Sequence, residues 1–132
     1  MRLYFIKSID PGLDFYTMKP PYKKGLLAEQ KALSYLEAHH YIIIKQRYLS
    51  PYGEIDILAV NPLKKILVAV EVKFRQSLED ARICITLRQK KRIENTLLHF
   101  VSRNEQYKHF NLRLDAILFA DNQQVHIENA WI

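Results

Sequence analysis

The chain has 132 residues, of which 48% are hydrophobic and 26% charged, enough sequence for one globular domain with its own core. This composition excludes a disordered chain, and the presence of only 3 Gly and 5 Pro residues excludes collagen-like or linker sequence. The 20 Lys and Arg residues outnumber the 14 Asp and Glu residues, and the resulting net charge of +6 favours an anionic partner.

The cysteine content and the hydropathy pattern bear on the cellular compartment. The single cysteine, Cys84, excludes an intrachain disulfide and a cysteine zinc site, which favours a reducing compartment. No apolar run approaches the roughly 18 residues that a membrane-spanning helix needs. The apolar N-terminus is interrupted by Lys7 and Asp10 and lacks the cleavage site of a signal peptide. We therefore expect a cytoplasmic protein with no membrane partner.

The first 22 residues differ from the rest of the chain. Turn signals occur at residues 10–12 and 19–21, and neither helical nor strand periodicity is present. We expect a poorly ordered N-terminal extension over residues 1–22 and a single domain over residues 23–132. A second methionine, Met18, leads to the hypothesis that translation begins there, which the intact mass of the natively expressed protein would test.

A helix is predicted first, over residues 23–40. Leu26, Leu33 and Leu36 repeat at helical spacing, and Glu29 falls on the same apolar stripe. An unpaired buried carboxylate is costly. Glu29 therefore either extends out to solvent or pairs with a neighbouring lysine, or this face of the helix faces a charged site.

Three strands follow, because β-branched and aromatic residues dominate the next segments. The predicted strands span residues 41–48, 54–60 and 66–74. Turn residues 50–53 separate the first two strands, and the five residues 61–65 suit a hairpin between the last two.

A second helix and two further strands complete the predicted elements. Thr86, followed three residues later by Gln89, matches a capping box and predicts a helix that runs to about Arg103. The last strands are predicted over residues 112–120 and 125–128. The five histidines lack metal-ligand spacing, so each is expected at the surface or hydrogen-bonded in the core.

The second and third predicted strands carry ionisable side chains among hydrophobic ones. Because side chains alternate along a strand, Glu54 shares a face with Asp56, and Glu71 shares a face with Lys73. Buried ionisable groups persist when they are paired or bind a metal. Asp56, Glu71 and the backbone carbonyl of Val72 could bind a hard cation such as Mg²⁺ or Mn²⁺.

These groups suggest a chemical role. A bound cation would lower the pKa of a water molecule, and Lys73 would orient or deprotonate that water or stabilise charge on a phosphate. The alternative is a structural ion pair between Glu71 and Lys73.

The same residues carry a resemblance to known nucleases. Residues 53–56 (GEID) followed by residues 70–73 (VEVK) resemble the PD-(D/E)XK nuclease signature. More narrowly, the chain from about Gly25 onwards resembles the small bacterial YraN-like family, which is grouped by fold with Holliday junction resolvases. The resemblance implies an α/β protein with a restriction-endonuclease-like αβββαβ core, in which helices flank a mixed central sheet. It also implies divalent-metal-dependent hydrolysis of phosphodiester bonds.

The resemblance also implies catalytic roles. Asp56 corresponds to the motif aspartate, Glu71 and Lys73 to the E-x-K element, and Glu29 to the acidic residue on the first helix. Two features depart from the pattern of many relatives.

The departures lie after the E-x-K strand. The loop over residues 75–80 contains no Gly, and Gln89 stands where a lysine is common. Lys90, predicted to point towards the apolar stripe of its helix, is the candidate substitute for that lysine.

A basic segment opens the second predicted helix. It consists of Arg88, Gln89, Lys90, Lys91 and Arg92. Basic groups of this kind contact backbone phosphates and give salt-dependent affinity without sequence readout. A solvated helix face is the alternative interpretation of the same charge run.

Together, these features predict a metal-dependent endonuclease that acts on DNA, with branched or flapped DNA as an analogy from fold. The first alternative is a non-catalytic nucleic-acid-binding protein that keeps the nuclease fold. A second alternative, a protein-interaction module with an acidic patch, leaves the basic segment unexplained. A cutter of branched DNA needs two sites, which leaves a homodimer open, although the sequence shows no convincing apolar stripe for one.

Overall fold

The structure is a computed structural model that describes residues 2–5 and 20–131. In chain order the elements are β1 (Arg2–Phe5), α1 (Pro20–Ala38), β2 (Ile42–Ser50), β3 (Gly53–Asn61), β4 (Ile66–Phe74), α2 (Leu78–Ile83), α3 (Leu87–Ser102), a 3-10 turn (Glu105–Tyr107), β5 (Asn111–Ala120) and β6 (Gln123–Glu128).

The strands form one mixed sheet in the order β1-β6-β5-β4-β3-β2. Neighbouring strands are antiparallel except for β4 and β5, which run parallel. A parallel pair needs a long crossover connection, and α2 and α3 supply it here. The predicted α/β class and αβββαβ order are confirmed, and the arrangement is compatible with a restriction-endonuclease-like core.

Helices cover both faces of the sheet. On one face α1 buries Ala28, Ala32 and Leu36, which lie four residues apart along one stripe of the helix. On the opposite face α3 buries Ile93 and Leu97 in a second cluster. Alternate residues of β4 contribute to the two clusters, because successive side chains of a strand point to opposite faces. None of the helices in the described part of the chain is both long and apolar enough to cross a bilayer.

Most predicted elements have their observed counterparts within a few residues. The strand predicted over residues 66–74 matches β4, and the predicted hairpin joins β3 to β4. The predicted cap is also confirmed, because the Thr86 hydroxyl accepts a hydrogen bond of 3.2 Å from the Gln89 amide at the start of α3.

The structure corrects the loop predicted over residues 75–80, because the last three of these residues belong to α2. Ser77 caps α2, with its hydroxyl accepting a 3.0 Å hydrogen bond from the Asp80 amide. A six-residue helix is too short to show helical periodicity, which explains why the pattern failed there. Its signal was the cap itself, a serine followed by Glu79 and Asp80 in the first turn.

The predicted N-terminal extension contains two described segments. Arg2–Phe5 forms β1, which pairs with β6, and α1 already begins at Pro20. Proline is well tolerated in the first turn of a helix. Residues 6–19 lie outside the described part of the chain, so poor order there and a translation start at Met18 stay predictions.

Candidate active site

The candidate site lies where β3 and β4 stop pairing. Their described ladder ends with Ile57 opposite Val70. Beyond that pair, residues 53–55 pair with β2, and residues 71–74 pair with β5. The two strands therefore diverge, and the polar residues just past the last pair face an opening in the sheet.

Asp56 bridges this opening. Its Oδ2 accepts a hydrogen bond of 2.8 Å from the backbone amide of Val72 on β4. The N–H and C=O groups of one strand residue point to the same neighbouring strand, so the Val72 carbonyl faces the same opening. Burial raises the pKa of Asp56, while the Val72 hydrogen bond and the charge of Lys73 oppose the rise.

Glu71 is the most buried of the carboxylates in the opening, with 7% of its surface exposed. Its Oε1 lies 3.1 Å from Lys73 Nζ and accepts a 2.9 Å hydrogen bond from Gln89 Nε2 on α3. Burial raises the pKa of Glu71 to about 7, the charge of Asp56 adds to the rise, and Lys73 opposes it. Without a bound cation, the Glu71 carboxyl therefore keeps its proton to a higher pH than an ordinary glutamate does.

Glu29 approaches the site from α1. Its Oε2 accepts a 3.0 Å hydrogen bond from Arg47 Nη2 on β2, and its charge contributes to the raised pKa of Asp56. Arg47 has a φ of 53°, a left-handed conformation that non-glycine residues adopt rarely and that clusters at functional sites. Glu29 thus forms an ion pair, and its charge also acts on the carboxylate of Asp56. Its partner is an arginine on β2 rather than a neighbouring lysine.

Four predicted catalytic residues are therefore brought together. The charge of Asp56 raises the pKa of Glu71, Lys73 pairs with Glu71, and the charge of Glu29 raises the pKa of Asp56. Glu54 is exposed and lies at the rim, where its charge also raises the pKa of Asp56.

The basic segment of α3 divides into two groups. Gln89 contacts Glu71, whereas no described hydrogen bond or ion pair joins the half-buried Lys90 side chain to the carboxylates. Gln89 rather than Lys90 therefore occupies the place beside the E-x-K strand. The other three residues of the segment are exposed: Arg88, Lys91 and Arg92.

The donor atoms at the site suit a hard divalent cation. Glu29 Oε1 and Gln89 Oε1 are buried without a hydrogen-bond partner among the described residues. In the same part of the chain, no three His, Cys, Asp or Glu side chains form a metal-holding group by themselves. Mg²⁺ commonly takes only one or two carboxylates together with water and substrate phosphate. Asp56, Glu71 and the Val72 carbonyl fit that pattern.

The raised pKa of Glu71 predicts that the metal-free protein becomes less stable as the pH rises. The unfolded carboxyl titrates near its ordinary value of 4.5, whereas the folded protein keeps the proton up to about pH 7. Between these pH values the folded state binds more protons, so the free energy of unfolding falls with rising pH, by on the order of 2 kcal/mol. Urea denaturation in EDTA from about pH 5 to about pH 8 measures this fall. The Glu71→Gln variant should lose most of it, and an unchanged pH dependence in that variant would contradict the prediction.

A second polar cluster lies away from the opening and was not anticipated. Asp115 Oδ2 lies 2.7 Å from His126 Nε2, and His126 Nδ1 lies 2.9 Å from the Tyr35 hydroxyl. Arg113 donates to both Asp115 oxygens. The spacing of Arg113 and Asp115 repeats the pattern of alternating charge that identified the first site, and this signal could have found them. His126 is a hydrogen-bonded core histidine, one of the two roles expected for it.

Comparison with known proteins places this architecture in a family. Residues 28–119 match the family model described as "Uncharacterised protein family UPF0102". The matched span includes every residue of the candidate site described above.

Individual relatives agree with the family match. A UPF0102 protein of Nitrobacter winogradskyi is 42% identical over 96 residues, which cover 73% of this chain and 80% of the relative. A UPF0102 protein of Bradyrhizobium diazoefficiens is 39% identical over 99 residues, covering 75% and 73% of the two chains. One from Sulfurihydrogenibium sp. is 36% identical over 110 residues, covering 83% and 94%. These names state no activity and no nuclease superfamily. The extent of the matches shows that the chain belongs to the UPF0102 family.

Proposed function

We propose that the protein is a divalent-metal-dependent endonuclease that hydrolyses phosphodiester bonds in DNA. The observation that carries this proposal is the meeting of Asp56, Glu71 and Lys73 at the open end of the β3–β4 ladder. A structural ion pair between Glu71 and Lys73 would not need a second carboxylate that raises the pKa of Glu71. Side chains held in an electrostatically unfavourable arrangement are typical of functional sites.

The residues present divide the chemical work. A divalent cation held by Asp56, Glu71 and the Val72 carbonyl would acidify a bound water and offset charge on the phosphate. Lys73 Nζ, beside Glu71 Oε1, is placed to donate a hydrogen bond to the water or to a phosphate oxygen. Gln89 holds the same Glu71 oxygen at 2.9 Å and so restricts the rotation of the carboxylate.

The surface beside the site supports an anionic polymer as substrate. Arg88, Lys91 and Arg92 are exposed on the first turns of α3, the helix whose Gln89 contacts Glu71. Basic side chains next to a cleavage site contact flanking phosphates and position the backbone without reading its sequence. This placement favours nucleic acid over a small anionic substrate.

A cleavage panel tests the proposal. Purified protein is incubated with Mg²⁺ or Mn²⁺ and with single-stranded, duplex, flapped and four-way DNA, and cleavage is expected on at least one substrate. EDTA should abolish it, and an Asp56→Asn preparation made in parallel controls for a contaminating nuclease. If no DNA is cut with either metal while binding stays salt-sensitive, the proposal fails and the non-catalytic DNA-binding alternative is supported.

A further inference from the structure

Two cavities adjoin the candidate site on the α1 side of the sheet. The first has a volume of about 540 Å³ and is lined by Lys24, Gly25, Val72, Lys73, Phe74, Arg75 and Gln76. The second has a volume of about 480 Å³, and its lining includes Leu27, Ala28, Lys31, Asp121, Asn122 and Gln124. Lys24 and Phe74 line both cavities, so the two lie side by side; together they are called the groove, with Lys73 at the end beside the site. Each volume is in the range of small-ligand pockets.

The end of the groove beside the site is positively charged. Lys24, Lys73 and Arg75 line the first cavity, which has no acidic residue in its lining. Lys24 Nζ lies 5.4 Å from the centroid of the Phe74 ring, so this lysine already lies over an aromatic surface. A phosphate group suits this end, because Lys and Arg side chains are its usual protein partners.

The far end of the groove has a mixed lining, in which Lys31, Asp121 and Asn122 accompany apolar residues, and it contains an unsatisfied polar atom. Leu27, Ala28 and the Phe74 ring supply flat and apolar surface. Gln124 is 2% exposed, and its Oε1 is buried without a hydrogen-bond partner among the described residues. An unpaired buried acceptor costs free energy, and the terminal torsion of a glutamine is soft enough to turn towards a ligand. A planar ligand group with an N–H donor would satisfy it.

We propose that this groove binds one unpaired nucleotide of the strand that leaves the cleavage site. Its phosphate lies between Lys24 and Arg75, and its base packs over Phe74 towards Gln124. The choice of a nucleic-acid strand as ligand rests on the proposed function. A base inside a duplex is stacked and paired and cannot enter such a groove, so the protein binds DNA with an unpaired strand more tightly than continuous duplex.

The test measures binding in EDTA, where cleavage does not interfere. Fluorescence anisotropy gives the Kd of the full-length protein for a blunt duplex and for the same duplex with a short 5′ or 3′ single-stranded overhang. We expect tighter binding of an overhang DNA. We expect Lys24→Gln to weaken overhang binding by about tenfold and blunt-duplex binding by less than about twofold. Lys31→Gln, which alters the second cavity alone, should weaken overhang binding in the same selective way.

Lys108→Gln is the matched control, because it removes one exposed lysine on the 3-10 turn side of the molecule. It should affect both DNAs equally. Equal losses for both DNAs in Lys24→Gln, or no preference of the unaltered protein for an overhang, would overturn the groove assignment even if the protein cuts DNA. A Lys24-dependent preference for overhangs in a protein that cuts no DNA would support the groove and contradict the proposed cleavage activity.

Discussion

Replacement of Glu71 with Gln is expected to lower the rate of metal-dependent DNA cleavage by at least about 10³-fold. The amide keeps the size of the side chain but removes the charge that would hold the cation beside Asp56. Isothermal titration with Mn²⁺ should show metal binding lost together with cleavage. The variant should remain folded at about pH 8, because it no longer ionises a buried carboxyl whose pKa is raised to about 7.

Replacement of the neighbouring Lys73 is expected to separate metal binding from DNA cleavage. Lys73→Ala should keep Mn²⁺ binding and lose about 10²- to 10³-fold in cleavage rate, because it removes a hydrogen-bond donor from the reacting groups and leaves both carboxylates. Lys108→Ala, far along the chain on an exposed turn, serves as the charge-matched control and should cleave normally. If either Lys73→Ala or Glu71→Gln cleaves DNA at the rate of the unaltered protein, the contact between Lys73 and Glu71 is only a structural ion pair.

Replacement of Asp115 with Ala is expected to lower the free energy of unfolding by about 3 to 5 kcal/mol. Asp115 is fully buried and accepts hydrogen bonds from Arg113, from His126 and from the Asn129 amide. Although burial works against the charged form of Arg113, the hydrogen bond and charge of Asp115 raise its pKa, so the guanidinium stays charged. Without Asp115, Arg113 would keep its ion pair with Glu128, whose Oε1 lies 3.6 Å from Arg113 Nη1.

Guanidinium denaturation at neutral pH measures the effect of Asp115→Ala. The control, Glu94→Ala, removes an exposed carboxylate on α3 and should change the free energy of unfolding by less than about 0.5 kcal/mol. Asp115→Asn should fall between the two, since it keeps hydrogen-bonding atoms but loses the charge. A loss below about 1 kcal/mol in Asp115→Ala would mean that the cluster contributes little to stability.

Local patterns in the amino-acid sequence predicted much of the candidate site. Carboxylates and a lysine in two consecutive hydrophobic strands cannot be explained by burial alone, and this conflict identified Asp56, Glu71 and Lys73. Glu29 was identified in the same way, as a charge on an apolar helical stripe. The capping box at Thr86 predicted the start of α3 and therefore brought Gln89 to notice. Each inference used neighbours within a few residues along the chain.

Contacts between distant segments were beyond the reach of such patterns. The pairing of Glu29 with Arg47 depends on a left-handed residue in β2 that no periodicity indicates. The contact between Gln89 and Glu71 depends on how the crossover returns α3 to the sheet. The groove from Lys73 to Gln124 joins residues of α1, β4 and β6, and its shape exists only in the assembled sheet.

The amino-acid sequence by itself determined the order of the elements other than β1 and α2, the charged faces of β3 and β4, and the basic start of α3, because alternation, helical spacing and capping are local properties. The tertiary structure alone decided that the β3–β4 ladder ends at Ile57 and Val70, which opens the sheet beside Asp56 and Glu71. It also decided that His126 on β6 contacts both Asp115 on β5 and Tyr35 on α1. The physical reason is that strand register and chain closure are set by packing of the whole domain, so they leave no periodic trace in any one segment.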